Sequence, residues 1–436
     1  MGARETALNV LIACRKNGAW SNGVFKEYAV RDKLDQRETA LAARLCYGVL
    51  QNRGKLDFYL KQLLTGKIKN LHPAVHDILQ LGLYQIYEMD KIPQSAAVNE
   101  SVALAKKYCK KIPSAAGLVN GVLRNAVRSK GTLKEPENLW EKYSHPKDLV
   151  QKLGRYVGQE NLEMMLQANN APVSVIAQIN TLKTTQEALT QQLISEGVTV
   201  EKHRWLENCL VLGGTGNLEQ LPSFREGLYY VQDAAARLSV LCAGISQGEK
   251  VLDCCAAPGG KTFAAGIAGA GKIISCDIHR HKIALIQNGA QRLGLNQITA
   301  KEQDAAEFCP QWESAMDVVI ADIPCSGYGI IRKKPDIRYK KQEDMMQLPQ
   351  LQLAILKNQA RYVKPGGVLM YSTCTLVREE NEGVVEKFLQ ENNDFSLEPL
   401  PLPDIFPENK TGMFALVPGQ YDTDGFFICR LRRKKA

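Results

Sequence analysis

Two short apolar runs, each leading into a cysteine, constrain the fold more than any other feature of this chain. Asp317-Val-Val-Ile-Ala321 runs into Asp322-Ile-Pro-Cys325, and Gly367-Val-Leu-Met-Tyr371 runs into Ser-Thr-Cys374. Short apolar runs without polar alternation suit strands buried on both faces, as in parallel sheets covered by helices. In open sheets of that kind, ligands bind beyond the carboxyl ends of the strands. The pattern therefore predicts one crevice that receives both thiols and the Asp322 carboxylate.

The surrounding chain agrees with such a sheet. From about residue 236, strand-like and helix-like segments alternate to the end, which predicts a Rossmann-like α/β domain over 236–436. Residues 1–135 read instead as helices throughout. Asp35-Gln-Arg-Glu38 is a capping-box-like start, with Leu41, Leu45 and Val49 following at helical spacing. Pro73 opens a helix that runs to Tyr87, and Lys91-Ile-Pro93 breaks it. Further helices are expected over 96–107 and 117–127. Residues 136–171 read as a linker and a connector helix. Residues 172–235 read as a small α+β module of βαββ order, with strands near 173–179, 209–212 and 228–231 and a helix over 185–196. The expectation is a multidomain protein: all-α, then small α+β, then α/β. Its 436 residues are too many for one ordinary core.

Charge separates these regions. Residues 1–135 hold 22 lysines and arginines against 11 acids, a net +11, while the remainder holds 33 against 35. The basic excess lies wholly in the helical part, which predicts an anionic partner there, with nucleic acid foremost. No apolar stretch approaches the ~20 residues that span a bilayer, and no signal-peptide core opens the chain. The 12 cysteines form no C-x-x-C pair, which argues against zinc ribbons and disulfide frameworks. Reduced thiols in the cytoplasm are expected. His279 and His281 read as a solvated loop, not as metal ligands. Nothing in the surface composition asks for a dimer, and a monomer is expected.

Val251-Leu-Asp-Cys-Cys-Ala-Ala-Pro-Gly-Gly-Lys-Thr262 reads as a strand, a tight loop and a helix start. A phosphate-binding loop ending in Gly260-Lys-Thr requires glycine at 255, where Cys255 stands. The G-x-G-x-x-G pattern of dinucleotide folds is absent. A methyl-donor site needs a tight loop under an amino-acid group and a sulfonium, then an acid for the ribose. Asp277 ends the next strand, 24 positions past Asp253, where it is placed to accept both ribose hydroxyls. Asp304 follows the strand after that and is suited to an adenine amino group. With Asp322, these strand-end acids read as a pocket for S-adenosylmethionine.

The thiols suggest what such a donor does here. Carbon 5 of a pyrimidine becomes nucleophilic when a thiolate adds to carbon 6, which splits one hard step into easier ones. A strand-end carboxyl group can then supply the proton or hydrogen bond that N3 requires. Four cations in Ile331-Arg-Lys-Lys-Pro-Asp-Ile-Arg-Tyr339 suggest phosphate contacts flanking the target base.

The residues also carry resemblances. Leu81-Gly-Leu-Tyr-Gln-Ile86, Ile92 to Lys106 and Leu118-Val-Asn-Gly-Val-Leu-Arg-Asn125 resemble the NusB-type domain, which implies RNA binding by residues 1–135. Asp322 to Gly327 and Lys364 to Thr375 resemble the paired motifs of RNA 5-methylcytosine methyltransferases, and Val251 to Thr262 resembles their cofactor loop. End to end, the chain resembles the RsmB (Sun/Fmu) family of 16S ribosomal RNA cytosine-5 methyltransferases. The resemblance implies roles that spacing does not. Cys374 matches the nucleophile, Cys325 the cysteine that assists release of product, and Asp322 the acid at the base pocket, near the donor methyl. Cys255, Ala256, Ala257, Pro258, Gly259, Gly260, Lys261, Asp277 and Asp304 match contacts to S-adenosylmethionine. The module at 172–235 is then a further RNA-binding element. Two other readings remain at this point: an enzyme of the same chemistry acting on transfer RNA or DNA, and an idle RNA-binding protein of the same architecture. A DNA enzyme is expected to use one catalytic cysteine, in the Pro-Cys motif, and Cys374 is a second.

Overall fold

The computed structural model describes residues 1–17, 21–340 and 345–435. They form two compact units, one of Met1–Ala171 with Ile331–Lys340, the other of Pro172–Ile330 with Lys341–Ala436.

The first unit is helical. Its main helices are Ala3–Asn17, Ser21–Arg31, Gln36–Leu63, Pro73–Glu88, Gln94–Tyr108 and Ala115–Arg128, followed by Lys147–Val157 and Gln159–Ala168. Local sequence sets several of their ends. The Asp35 side chain accepts from the Glu38 N–H, and His72 accepts from the Ala74 N–H ahead of Pro73. Such side chains satisfy N–H groups that a helix start leaves without partners. Pro73–Glu88 buries Ile78, Leu79, Leu81, Leu83 and Ile86 together with the polar Asp77, Gln80 and Gln85, so it is covered nearly all round and runs through the core. The connector is two helices, parted at Gly158.

Ten residues that the sequence assigns to the C-terminal domain, Ile331–Lys340, belong to this helical unit. The Asp336 carboxylate accepts from the Ser21 N–H and hydroxyl at 3.2 and 2.9 Å, at the start of helix Ser21–Arg31. Arg338 is 2 % exposed. Its guanidinium donates to the carbonyls of Gln51 (3.1 Å), Ser144 (3.0 Å) and Asn169 (3.4 Å) and to Asn170 Oδ1 (3.0 Å). The Tyr339 hydroxyl donates to the Leu50 carbonyl at 2.9 Å. The expected phosphate role of this loop is therefore corrected at Arg338. Its two terminal nitrogens are taken up by acceptors of the helical unit, and its Nε, though it has no described hydrogen-bond partner, is buried, so the side chain is not open to a phosphate.

The second unit holds two sheets. The smaller has β1 (Val175–Ile179), β2 (Thr199–Lys202), β3 (Cys209–Gly213) and β4 (Tyr229–Val231) in the order β2-β3-β1-β4, with helix Gln186–Ser195 packed on it. β2 was not expected. It is an edge strand of Thr-Val-Glu-Lys, largely exposed, and leaves no buried run to read. The module is fixed to the larger sheet's body by Asn180, whose amide donates to the Leu293 carbonyl at 2.9 Å, and by Arg292, whose guanidinium donates to the carbonyls of Phe224 and Tyr229.

The larger sheet contains β5 (Lys250–Asp253), β6 (Lys272–Asp277), β7 (Ile298–Glu302), β8 (Met316–Asp322), β9 (Val363–Thr373), β10 (Phe395–Leu397), β11 (Met413–Leu416) and β12 (Phe426–Arg433). Its order is β10-β12-β9-β8-β5-β6-β7, with β11 paired to β12. Strands β7, β6, β5, β8 and β9 are parallel neighbours, and β12 returns antiparallel to β9. Alternate residues feed a separate apolar cluster on each face, Val251, Ile273, Val318 and Ile320 on one and Leu252, Ile274, Val319 and Leu369 on the other. The strand order reverses between β5 and β8, the place where sheets of this kind bind ligands.

Candidate functional site

The two cysteines meet because their strands are adjacent and in register. Asp322 of β8 lies opposite Ser372 of β9. Three residues past the one and two past the other, Cys325 Sγ and Cys374 Sγ stand 3.0 Å apart, both partly exposed. The hydrogen bond that Cys325 gives to Cys374, with burial added to it, holds the Cys325 thiol well above its ordinary value, so Cys325 keeps its proton.

A web behind the sulfurs fixes both loops. Ser326 Oγ and Thr375 Oγ1 share a hydrogen bond of 2.8 Å. The Ser326 N–H donates to Glu380 Oε2 at 2.8 Å, and the Gln352 amide donates to the same oxygen at 3.0 Å. Tyr371 donates its hydroxyl to the Glu380 carbonyl. The Gly329 N–H donates to the Cys374 carbonyl at 2.9 Å, and a Cβ at 329 would stand 2.0 Å from the Gly425 oxygen. Only glycine allows that approach. Glu380, Gln352 and Gly329 were missed in the sequence. Glu380 and Gln352 look like ordinary polar residues there, and their burial at 3 % and 0 % exposure is a tertiary effect.

Asp322 joins this crevice to the small-residue loop. Its Oδ1 accepts from Ser372 Oγ at 2.8 Å, and its Oδ2 lies 2.6 Å from Lys261 Nζ. The Lys261 side chain is thus directed at Asp322, and what it offers a ligand beyond that pair is its backbone N–H. In the loop itself, the Ala256 N–H donates to the Cys276 carbonyl and the Gly259 N–H to the Ala256 carbonyl, each at 2.7 Å. Gly259 has φ +113°, and a Cβ there would lie 2.3 Å from the Phe263 ring. The loop is a tight cradle that a side chain would fill. It ends at helix Gly260–Ile267, whose first N–H groups have no partners within the helix.

Asp277 ends β6 with 7 % exposure, and its Oδ1 accepts from the His279 N–H at 2.9 Å. Asp304 is half-buried beyond β7, with Oδ1 accepting from the Ala306 N–H at 2.8 Å. Along one edge of the sheet the order is therefore Asp304, Asp277, the loop 255–261, Asp322 with Cys325, then Cys374. At about 4.8 Å per strand this edge spans roughly 19 Å, room for an adenosyl group and a base side by side. The acceptors, the cradle and the free helix start fit S-adenosylmethionine. Among the described residues no cluster suited to a metal ion occurs. Three of the other thiols are held in the protonated form: burial pushes Cys276 up to about 12 and raises Cys429, and a hydrogen bond with Cys255, with burial added to it, raises Cys254 well above the ordinary range.

A doubly wound sheet with an adenosyl-type edge and a reactive crevice at its switch point defines an S-adenosylmethionine-dependent methyltransferase. Residues 241–432 match the family described as 16S rRNA methyltransferase RsmB/F, residues 1–128 match the NusB family, and residues 145–219 match the ferredoxin-like domain of RsmF/B-like methyltransferases. The "Probable ribosomal RNA small subunit methyltransferase B" of Bacillus subtilis (strain 168) is 37% identical over 99% of this chain and 98% of its own length. The chain belongs to the RsmB/F methyltransferase family. Among solved structures, PH0851 superposes with a TM-score of 0.79 at 24% identity, covering 99% of both chains. NSun6 from Pyrococcus horikoshii, crystallised with SFG, an analogue of S-adenosylmethionine, superposes with a TM-score of 0.60 at 21% identity over 67% of this chain and 99% of its own. These two likenesses concern the fold.

Proposed function

We propose that this enzyme methylates carbon 5 of a cytosine in 16S ribosomal RNA through a transient bond between Cys374 and carbon 6. The observation that carries the reading is the pair of sulfurs 3.0 Å apart, beside an Asp322 that reaches the methyl-donor loop through Lys261. The substrate class follows the names of the relatives.

S-adenosylmethionine supplies an electrophilic methyl group. The chain does the rest. Cys374 adds to carbon 6 as the thiolate, while Cys325, which keeps its proton, donates a hydrogen bond to that sulfur. Asp322 lies at the ring edge and shares the proton that N3 takes up as carbon 6 is attacked, steadied by Ser372 and Lys261. Carbon 5 gains a methyl group and then gives up its proton to a base, and the carbon–sulfur bond breaks as the ring double bond reforms, a release that Cys325 assists through its hydrogen bond to the departing sulfur. One proton is released per methyl group transferred. At the donor side, Asp277 accepts the ribose hydroxyls, Asp304 takes the adenine amino group, and the backbone from Cys255 to Lys261 cradles the amino-acid end. The basic residues of the helical unit and the remaining cations of the loop, Arg332, Lys333 and Lys334, contact RNA phosphates, and the α+β module adds a further RNA surface. The reaction takes place in the cytoplasm, on a protein in which no described helix is long and apolar enough to cross a membrane.

The test is transfer of a labelled methyl group from the donor to 16S ribosomal RNA, with the product base identified by digestion. Wild type should yield 5-methylcytosine. Cys374→Ala should lose at least about four orders of magnitude in rate while binding the donor as before. Methylation at another atom, or full turnover by Cys374→Ala, overturns the assignment.

A further inference from the structure

We infer that one face of the large sheet over β5, β6 and β7, from its amino end at Lys250 and Lys272 up to Lys301, is a second RNA-contacting surface, on which these three lysines take backbone phosphates. This rests on the reading that the substrate is RNA, and it adds a site which that reading does not contain.

The lysines share one face of the sheet. Lys250 begins β5 and Lys272 begins β6, and the register sets them directly opposite each other. On β7 the alternation puts Thr299 and Lys301 on the same face, because Ile298 and Ala300 pack into the cluster on the other. Glu302 follows Ile298 and Ala300 to that other side. The result is a cavity of about 290 Å³ lined by the three lysines, Thr299, Gln311 and Trp312. Lys301 Nζ lies 5.9 Å from the centre of the Trp312 ring, which is buried and serves as a wall.

None of the three ammonium groups forms an ion pair with a described residue. The nearby acids are engaged elsewhere. Asp317 accepts from Lys364 Nζ at 2.7 Å and from the Lys250 N–H at 2.8 Å. Glu249 accepts from the Ser246 N–H at 2.8 Å, and Glu313 pairs with Arg361 at 3.2 Å. Like charges directly opposite on neighbouring strands destabilise a sheet. An anion seated between them removes that penalty.

The charge pattern selects a polyanion. From β5 to β7 the cleft is two strand spacings wide, about 10 Å, more than one phosphate group fills. Lysines are point charges that hold phosphate without reading sequence. Lys272 lies about 17 Å from Asp277, the length of β6, while Lys301, level with Cys276, stands one residue short of that edge, so the cleft runs along the face from one end of the sheet towards the other. A partner that contacts both ends must be long, as a folded ribosomal RNA is.

The experiment uses the full-length protein with Lys250→Gln, Lys272→Gln and Lys301→Gln combined, and 16S ribosomal RNA between 50 and 200 mM salt. Each lost phosphate contact lowers the slope of log affinity against log salt by roughly 0.7–0.9. A fall of about two to three in the slope and a raised KM for RNA are expected, with kcat and the KM for the donor unchanged. The thermal midpoint without RNA should rise, since the repulsion is gone. The triple Lys→Arg variant should keep the wild-type slope. An unchanged slope in the Gln variant overturns the inference. So does a cleft that serves a small anion: inorganic phosphate raising the wild-type midpoint, an effect lost in the variant, with the RNA slope unmoved. Wild type that binds RNA with the expected slopes but methylates no cytosine sinks the proposed function and leaves this surface standing.

Discussion

The two polar stretches that follow β8 use their charges and sulfurs in opposite ways. From Asp322 to Ser326, the reactive groups hold partners that a substrate can replace. Cys325 holds Cys374, Asp322 holds Lys261, and both sulfurs stay partly exposed. From Asp336 to Tyr339, the partners are permanent. Arg338 ends on main-chain carbonyls of two helices and a turn, and burial pulls its guanidinium down only to about 10, so it remains charged at neutral pH. A dense run of cations is therefore no guide to a phosphate site by itself. What decides is whether folding leaves the charge without an ion pair, as at Lys250 and Lys272, or buries it against main-chain acceptors, as at Arg338.

The largest effect expected from breaking the exchangeable half is at Cys325. On the proposed mechanism, alanine there removes the proton-holding neighbour of Cys374 without removing the sulfur that attacks. The adduct should form and fail to resolve, with turnover lower by at least about 100-fold and an RNA-linked protein band on a denaturing gel. A variant that turns over normally, or one that shows no such band during turnover, contradicts the role given to Cys325.

Much of this crevice was legible because it is built from strand ends. An apolar run announces a buried strand, and the residue after it must emerge at the sheet edge, so Asp277, Asp322, Cys325 and Cys374 could be placed without a structure. Neighbouring strands then brought the sulfurs together. The helices of the first unit were legible for a similar reason, as with the Asp35 cap and Pro73. Partners from distant segments were not. Glu380 and Gln352 meet behind Ser326 only when Leu348–Ala360 and the turn after Cys374 pack together. The place of Arg338 depends on carbonyls nearly 300 and nearly 200 positions away in sequence, at Gln51 and Ser144. No local period encodes such a distance. β2 escaped because an exposed edge strand has no buried face to leave an apolar pattern.

Arg338 tests the saturated half. Arg338→Met keeps bulk but leaves the carbonyls of Gln51 and Asn169 without this donor, and the Ser144 carbonyl with only the Tyr339 hydroxyl at 3.3 Å. The expected loss is about 3–5 kcal/mol, read as a lower urea midpoint for the helical unit. Arg338→Lys should recover little, since one ammonium cannot reach partners on both sides of a planar fork. A loss below about 1 kcal/mol in the Met variant would show that the carbonyls find other donors, and the contrast between the two stretches would weaken.

Asp253 stands between these extremes. It ends β5 under the donor loop at 0 % exposure, with Oδ2 accepting from Thr262 Oγ1 at 2.7 Å and no described hydrogen-bond partner for Oδ1. It has neither the several partners given to Arg338 nor the access of the cysteines. Burial raises its carboxyl from 3.8 to about 7. For an acid whose folded value lies above its unfolded one, the folded chain binds a proton that the unfolded chain has released. The penalty starts near pH 4 as the unfolded group ionises, grows with pH, and is complete above about 7. Asp253→Asn abolishes it. Relative to wild type, the Asn variant should therefore gain roughly 2 kcal/mol more at pH 8 than at pH 5, measured as the difference in urea unfolding free energies. An equal difference at the two pH values would mean that the carboxylate finds compensation when it ionises, and Asp253 would then belong with the saturated groups.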